Sequence, residues 1–287
     1  MENKPHISAS SIDTYNRCPE QWRRRYVEGH KIPPGIALIR GTAVHKGAEH
    51  NFKQKIESKV DLPKQEVIDV SCSTFEDVIR NEGLELTLDQ RAEGRDKVIG
   101  KAKDSVAALT GLLSDEVAHD IQPVAVEEEI RIKLPNATRD LLGYLDIRTQ
   151  DSIDDIKTAG KSKWASEAGT HTQFILYSLM YKAKTGTDPG RVNIHELVSG
   201  GKPKYNKVSI KFSTDDYEPL VRRINATLKG IDGGFFPPAT PGAWWCSPNS
   251  CGYWVTCPYV NSGRKAAYDS QKKSAAGIAD YIMPTKK

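Results

Sequence analysis

From Pro123 onward the hydrophobic period of the chain changes, and that change limits the fold more than any other feature. Before it, apolar residues recur at helical spacing, as Ala43, Val44, Ala48, Phe52 and Ile56 do in "GTAVHKGAEHNFKQKIESK". A further helical stretch covers residues 73–118, interrupted near Gly83. After Pro123, "VAVEEEIRIKL" and "LLGYLDIRT" alternate residue by residue, and "SIDDIKT" follows a tight polar turn. That pattern predicts three strands in a meander. "SEAGTHTQFILYSLMYKAKTG" is a helix stopped by Gly186, "RVNIHELVSG" and "NKVSIKFS" are two more strands, and "STDDYEPLVRRINATLKGI" is a capped helix. Near the start, "SASSIDTYNRCPEQWRRRYVEG" reads as two short helices broken at Cys18-Pro19. Helices, three strands, helix, two strands, helix is an α/β order with a mixed sheet rather than repeated Rossmann units.

The chain's 287 residues are enough to bury a sizeable core. No run approaches the roughly 20 apolar residues of a membrane span, and "MENKPHISAS" has no apolar signal-peptide core. A cytoplasmic protein with no membrane partner is expected. The net charge of +4 is carried by Asn261–Lys287, which holds six Lys and Arg against two Asp. Any polyanion must therefore be met by local patches. The candidates are Arg23-Arg24-Arg25, Lys202/Lys204/Lys207 and Arg222-Arg223.

With the turn centred on Gln150-Asp151, Asp146 faces Asp155 across the second and third strands. Opposed side chains in such a pair have Cβ atoms about 4.5–5.5 Å apart. Two carboxylates that close repel unless a cation lies between them, and a divalent metal is the usual answer. Lys157 projects from the same strand face as Asp155. Two hard oxygen ligands beside an ammonium suit phosphodiester hydrolysis. The alternative reading of the same residues is a cross-strand ion pair on a solvated hairpin.

The hairpin resembles the core of the PD-(D/E)xK nuclease superfamily, where an acid on one strand precedes acid-x-lysine on the next. The chain is similar to its RecB-like branch in two further motifs: Gly41-Thr42-Ala43-Val44-His45 on an upstream helix, and Gln173-Phe174-Ile175-Leu176-Tyr177 on the helix after the lysine strand. The resemblance implies a restriction-endonuclease-like mixed β-sheet core flanked by helices. It implies His45, Asp146, Asp155 and Ile156 as ligands to Mg2+ or Mn2+, with Lys157, Gln173 and Tyr177 completing the catalytic set. Glu49 shares the His45 face as a supporting group, and of Glu127, Glu128 and Glu129 we favour Glu128 as a further acid.

Cys246-x4-Cys251-x5-Cys257 is too loose for the paired C-x2-C knuckles of a zinc ribbon. It resembles the C-terminal triplet of CRISPR-associated and AddB-type nucleases, in which one cysteine before the core and three after it bind a 4Fe–4S cluster. The resemblance implies Cys18 as the fourth ligand and a clasp between the N- and C-terminal segments. The spacing of the first two triplet cysteines is commonly shorter, so zinc stays open. Cys72 reads as a small core residue.

Residues 1–260 are thus expected to form one nuclease domain, with a helical insertion at about 60–120 and the triplet region at 244–259. Residues 261–287 are expected to be a mobile basic tail. The expected function is a DNA exonuclease of a small, often phage-borne type, acting on single strands or ends in replication or recombination. Such a protein would work in the host cytoplasm. The alternatives are a DNA-end-binding accessory module and an RNA-processing enzyme.

Overall fold

A six-stranded mixed sheet organises the computed structural model, which describes residues 6–240 and 242–270. Its strands are β1 (His6–Ile7), β2 (Ala125–Ile132), β3 (Asp140–Arg148), β4 (Ser152–Ala159), β5 (Arg191–Val198) and β6 (Lys204–Ile210). β2–β3, β3–β4 and β5–β6 are antiparallel; β4–β5 and β1–β3 are parallel. The meander read from the alternating segments is present. β1 was not anticipated, because two residues are too few to show a period.

The helices around the sheet are α1 (Ala9–Arg17), α2 (Pro19–Trp22), α3 (Ile36–Ser58), α4 (Lys64–Glu82), α5 (Leu88–Glu93), α6 (Arg95–Glu116), α7 (Trp164–Glu167), α8 (Thr172–Thr185) and α9 (Thr214–Asp232). α1 is started by Ser8, whose hydroxyl accepts from Ser11 N, and α2 by Pro19 at its first position. Strand alternation sends Ile153, Val192 and Ile194 into one cluster with Ile12, Phe174, Met180 and Ile224. It sends Ile156 and Leu197 into a second cluster with Phe52, Phe75, Leu109 and Leu113. The helices of residues 60–120 therefore pack with α3 as one layer on a sheet face.

Close approach on the opposite layer depends on Gly143. A Cβ there would lie 2.7 Å from Met180 Sδ and 3.3 Å from the Tyr177 ring, so α8 sits against bare backbone.

The two ends of the described chain meet. Tyr15 Oη donates to Phe235 O at 2.6 Å, Trp22 stacks on Phe236 at 5.8 Å, and Trp245 Nε1 donates to Arg17 O at 3.1 Å. Residues 262–270 are helical, with Lys265 Nζ donating to Cys257 O at 2.7 Å and the Tyr268 ring edge-on to Trp254. The expected mobile tail thus begins as packed helix, because its first turns have aromatic and carbonyl partners. Residues 271–287 lie outside the described residues.

Candidate active site

β3 and β4 keep the expected register at the base of their hairpin, with Ile147 opposite Asp154 and Arg148 opposite Ile153. The ladder then opens. β2 fills one edge of β3 between Leu141 and Arg148. β1 and β4 must therefore share the other edge, one at each end. Between them lies a fork, and at its apex Ile156 N donates to Asp146 Oδ2 at 3.1 Å. The N–H and C=O of one strand residue point to the same edge, so the Ile156 carbonyl also faces this fork.

α3 brings His45 to the fork. One turn before it, Gly41 passes so near β4 that a Cβ would lie 3.3 Å from Thr158 Oγ1. His45 Nδ1 lies 3.2 Å from Asp146 Oδ2. A third group joins them: one ligand atom each from His45, Glu127 and Asp146 all lie within 4.8 Å of one another. The favoured Glu128 is elsewhere, accepting from Arg148 Nε at 2.6 Å and from Lys184 Nζ at 2.7 Å. The reason is local. Glu127 has φ 50°, in the left-handed region, and the ladder skips it between Val126 and Glu128. Strict alternation fails at that residue, and Glu127 rather than Glu128 joins His45 and Asp146.

Asp155 is fully buried, and neither of its oxygens has a hydrogen-bond partner. Lys157 Nζ lies 2.8 Å from Oδ2 as an ion pair away from hydrogen-bond alignment, and 5.6 Å from the centre of the Phe174 ring. Burial, and then the charge of Asp146, push the Asp155 carboxyl up to about 6. Burial opposes the charge on Lys157, but Asp155 and Asp146 outweigh it and hold the ammonium above its ordinary value. Glu127 is raised by burial and by Asp146. Crowded acids, one of them a buried carboxylate whose partner is the Lys157 ammonium, beside an imidazole form a donor set that fits a divalent cation such as Mg2+ or Mn2+.

Gln173 and Tyr177 share a face of α8, with Gln173 Nε2 donating to Tyr177 Oη at 2.9 Å. Burial and the charges of Asp155 and Asp146 hold the Tyr177 hydroxyl far above its ordinary value, so it stays protonated and borders the acids. Glu49 lies on the cleft beside His45. There, hydrogen bonds from Lys46 and Lys53 overcome the effect of burial and lower its carboxyl. A group that sequence reasoning missed is Glu196, fully buried on β5. It accepts from Lys163 N at 2.8 Å and Ser162 Oγ at 2.6 Å, pinning the turn after the lysine strand.

Two of the basic patches are largely spent. Arg23 pairs with Glu20 and Glu28, Arg24 with Glu20, and Arg222 with Glu218. Cys18, Cys246, Cys251 and Cys257 line one cavity of about 330 Å³, while Cys72 packs against the α3–α4–α6 cluster.

No curated protein matches the chain. Among solved structures it is similar to a "Putative exonuclease" from Eubacterium rectale, at TM-score 0.54 and 13% identity over 85% of this chain and 87% of that one. That likeness shows the mixed α/β fold. The structure titled SSO0001 aligns at TM-score 0.42 and 13% identity over 91% of this chain and 90% of that one, too distant to argue from. The sequence profile of the PD-(D/E)XK nuclease superfamily matches residues 6–258, which span the fork, the α3 histidine and the α8 pair. The chain belongs to the PD-(D/E)XK nuclease superfamily.

Proposed function

We propose that this nuclease is a Mg2+- or Mn2+-dependent deoxyribonuclease of the RecB-like branch. In this reading it is an exonuclease acting on single-stranded DNA or DNA ends in replication or recombination. The carrying observation is the buried Asp155, without a hydrogen-bond partner, beside the His45–Glu127–Asp146 group. When bound, a divalent ion supplies Lewis-acid polarisation of the phosphate and a water of lowered pKa. His45, Glu127, Asp146, Asp155 and the Ile156 carbonyl would hold it. Lys157, kept as an ammonium, stabilises negative charge as it develops on the phosphate. Tyr177, kept protonated, and the Gln173 amide donate to the substrate strand.

The four cysteines are the proposed ligands of a 4Fe–4S cluster. What supports a shared metal group is that all four line one cavity; thiolates bind either a 4Fe–4S cluster or a tetrahedral zinc, and metal analysis separates the two.

The test is incubation with end-labelled single- and double-stranded DNA and RNA, and with circular single-stranded DNA, in Mg2+, Mn2+ or EDTA. Short products released from DNA ends with metal and none in EDTA are expected. Absence of cleavage in every metal overturns the proposal, and cleavage of the circle makes the protein an endonuclease.

A further inference from the structure

A second cavity, of about 420 Å³, lies between α1 and α8 against the edge of β3 that the fork leaves unpaired. Gly143 contributes bare backbone to it, and Gln173 and Tyr177 form a wall. Because the Tyr177 hydroxyl feels the charges of Asp155, Asp146 and Glu127, this cavity and the acid cluster share that wall. The cleft on the α3 side, of about 430 Å³ and lined by His45, Glu127 and Lys157, is separate. The acids thus have one cavity on each side.

The chemistry of the second cavity says what it takes. No Lys or Arg is among the described residues lining it, whereas Asp13 is. Among the described lining residues a phosphate would meet the Asp13 carboxylate and no Lys or Arg, only the imidazoles of His6 and His171, so the cavity suits an uncharged group. Its polar groups are also unspent. Asp13 makes no hydrogen bond or ion pair with the described residues, and His171 Nδ1 is buried without a hydrogen-bond partner. Flat surfaces border it as well. The His171 ring is braced edge-on by Trp164 at 5.0 Å, and the exposed Tyr144 ring is anchored through its hydroxyl to Glu129 at 2.8 Å. An acceptor and a ring nitrogen without hydrogen-bond partners among the described residues, with aromatic faces one wall away from the reacting phosphate, match a heterocyclic base.

We propose that this cavity is a nucleobase pocket, taking the base of the nucleotide next to the scissile phosphate, and that Asp13 makes it prefer bases with an exocyclic amino group. Cytosine and adenine offer an N–H donor to a carboxylate, and a carboxylate is the natural reader of the cytosine amino group. Thymine presents a carbonyl oxygen, which Asp13 repels. The inference rests on the nuclease reading above, but its test does not require cleavage.

The measurement is fluorescence-anisotropy binding of labelled (dC)8 and (dT)8 to the full chain in EDTA. Wild type is expected to bind (dC)8 roughly 5–10-fold more tightly, the effect of one hydrogen bond. Asp13→Asn can accept or donate, so its C-to-T ratio should fall to within about twofold. That ratio is independent of how much of the variant is folded. Asp155→Ala should keep the wild-type ratio. Equal binding by wild type, or a preference that survives Asp13→Asn, overturns the pocket. Loss of the preference in Asp155→Ala also overturns it, by placing the selectivity in the acid cluster. Cleavage measured in parallel separates the two readings. A nuclease with no base preference refutes the pocket alone, and a base preference without cleavage refutes the nuclease alone.

Discussion

Ile156 donates its backbone N–H to the Asp146 carboxylate at 3.1 Å, so the hairpin closes through a side chain where its backbone ladder ends. Asp146 Oδ2 is committed to that contact and to His45. Asp146→Asn keeps an acceptor for Ile156 but loses the charge that a hard cation requires. Thermal unfolding should shift little, while DNA cleavage falls to background; Asp155→Ala should be equally inactive. Near-normal cleavage by either variant at saturating Mg2+ would remove these residues from the site.

Lys157→Ala should retain metal binding and lose about 10²–10³-fold in turnover, the scale of one charge stabiliser in a dry site. Metal titration followed by melting temperature, beside single-turnover cleavage, separates the two effects. Loss of metal affinity would make the lysine a structural group.

Glu127 and Glu128 are neighbours with different fates. Glu127→Gln should weaken Mn2+ binding and cleavage together, since its carboxylate joins His45 and Asp146. Glu128→Gln should leave metal affinity unchanged, because that carboxylate serves Arg148 and Lys184. Isothermal titration with Mn2+ on both variants decides; a reversed order would return the choice to Glu128.

A carboxyl raised to about 6 in the folded protein, against an ordinary 3.8, makes the folded state bind the extra proton. Its contribution in EDTA therefore favours the folded state at low pH and declines as pH rises between about 4 and 6. A cation needs the deprotonated form, so stabilisation by Mn2+ should be small at pH 5 and grow through pH 7. At hundredfold excess over Kd it should reach roughly 5–10 °C at neutral pH. In Asp155→Asn the dependence between pH 5 and 7 should flatten. A melting shift equal at both pH values in wild type would contradict this.

For the cysteine cavity, anaerobically purified wild type should carry about four irons per chain, as a thiolate-bound cubane implies. Cys18→Ala should lower iron content and thermal stability together, and Cys72→Ala should change neither the iron nor the sulfide. Iron, zinc and sulfide analysis reads all three. One zinc per colourless chain would replace the cluster, and full iron in the Cys18 variant would move the fourth ligand.

Much of the site was legible because it follows from short-range rules. The turn at Gln150-Asp151 set the pairing of Ile147 with Asp154, and the four-residue spacing put Gln173 and Tyr177 on one face. The fork was not legible, since it depends on where the two-residue β1 joins β3. Glu127 was hidden for a different reason: a single left-handed residue leaves no trace in a hydrophobic pattern. The arginine run looked like a nucleic-acid patch because a sequence lists charges without their partners. Arg23 and Arg24 both turn out to clamp the buried Glu20.

The stacking of Trp22 on Phe236 and the bond from Tyr15 to Phe235, across 220 residues, also fix an order of events during synthesis. At about 5–20 residues per second, α1 and α2 wait roughly 10–40 s for the residues that cover them. Until then Tyr15 and Trp22 lack the cover of Phe235 and Phe236, and Cys18 has no cavity to line. The cluster of α3, α4 and α6 draws only on residues 36–205, whereas the cluster beneath α1 and α2 closes only once Phe236 has been made.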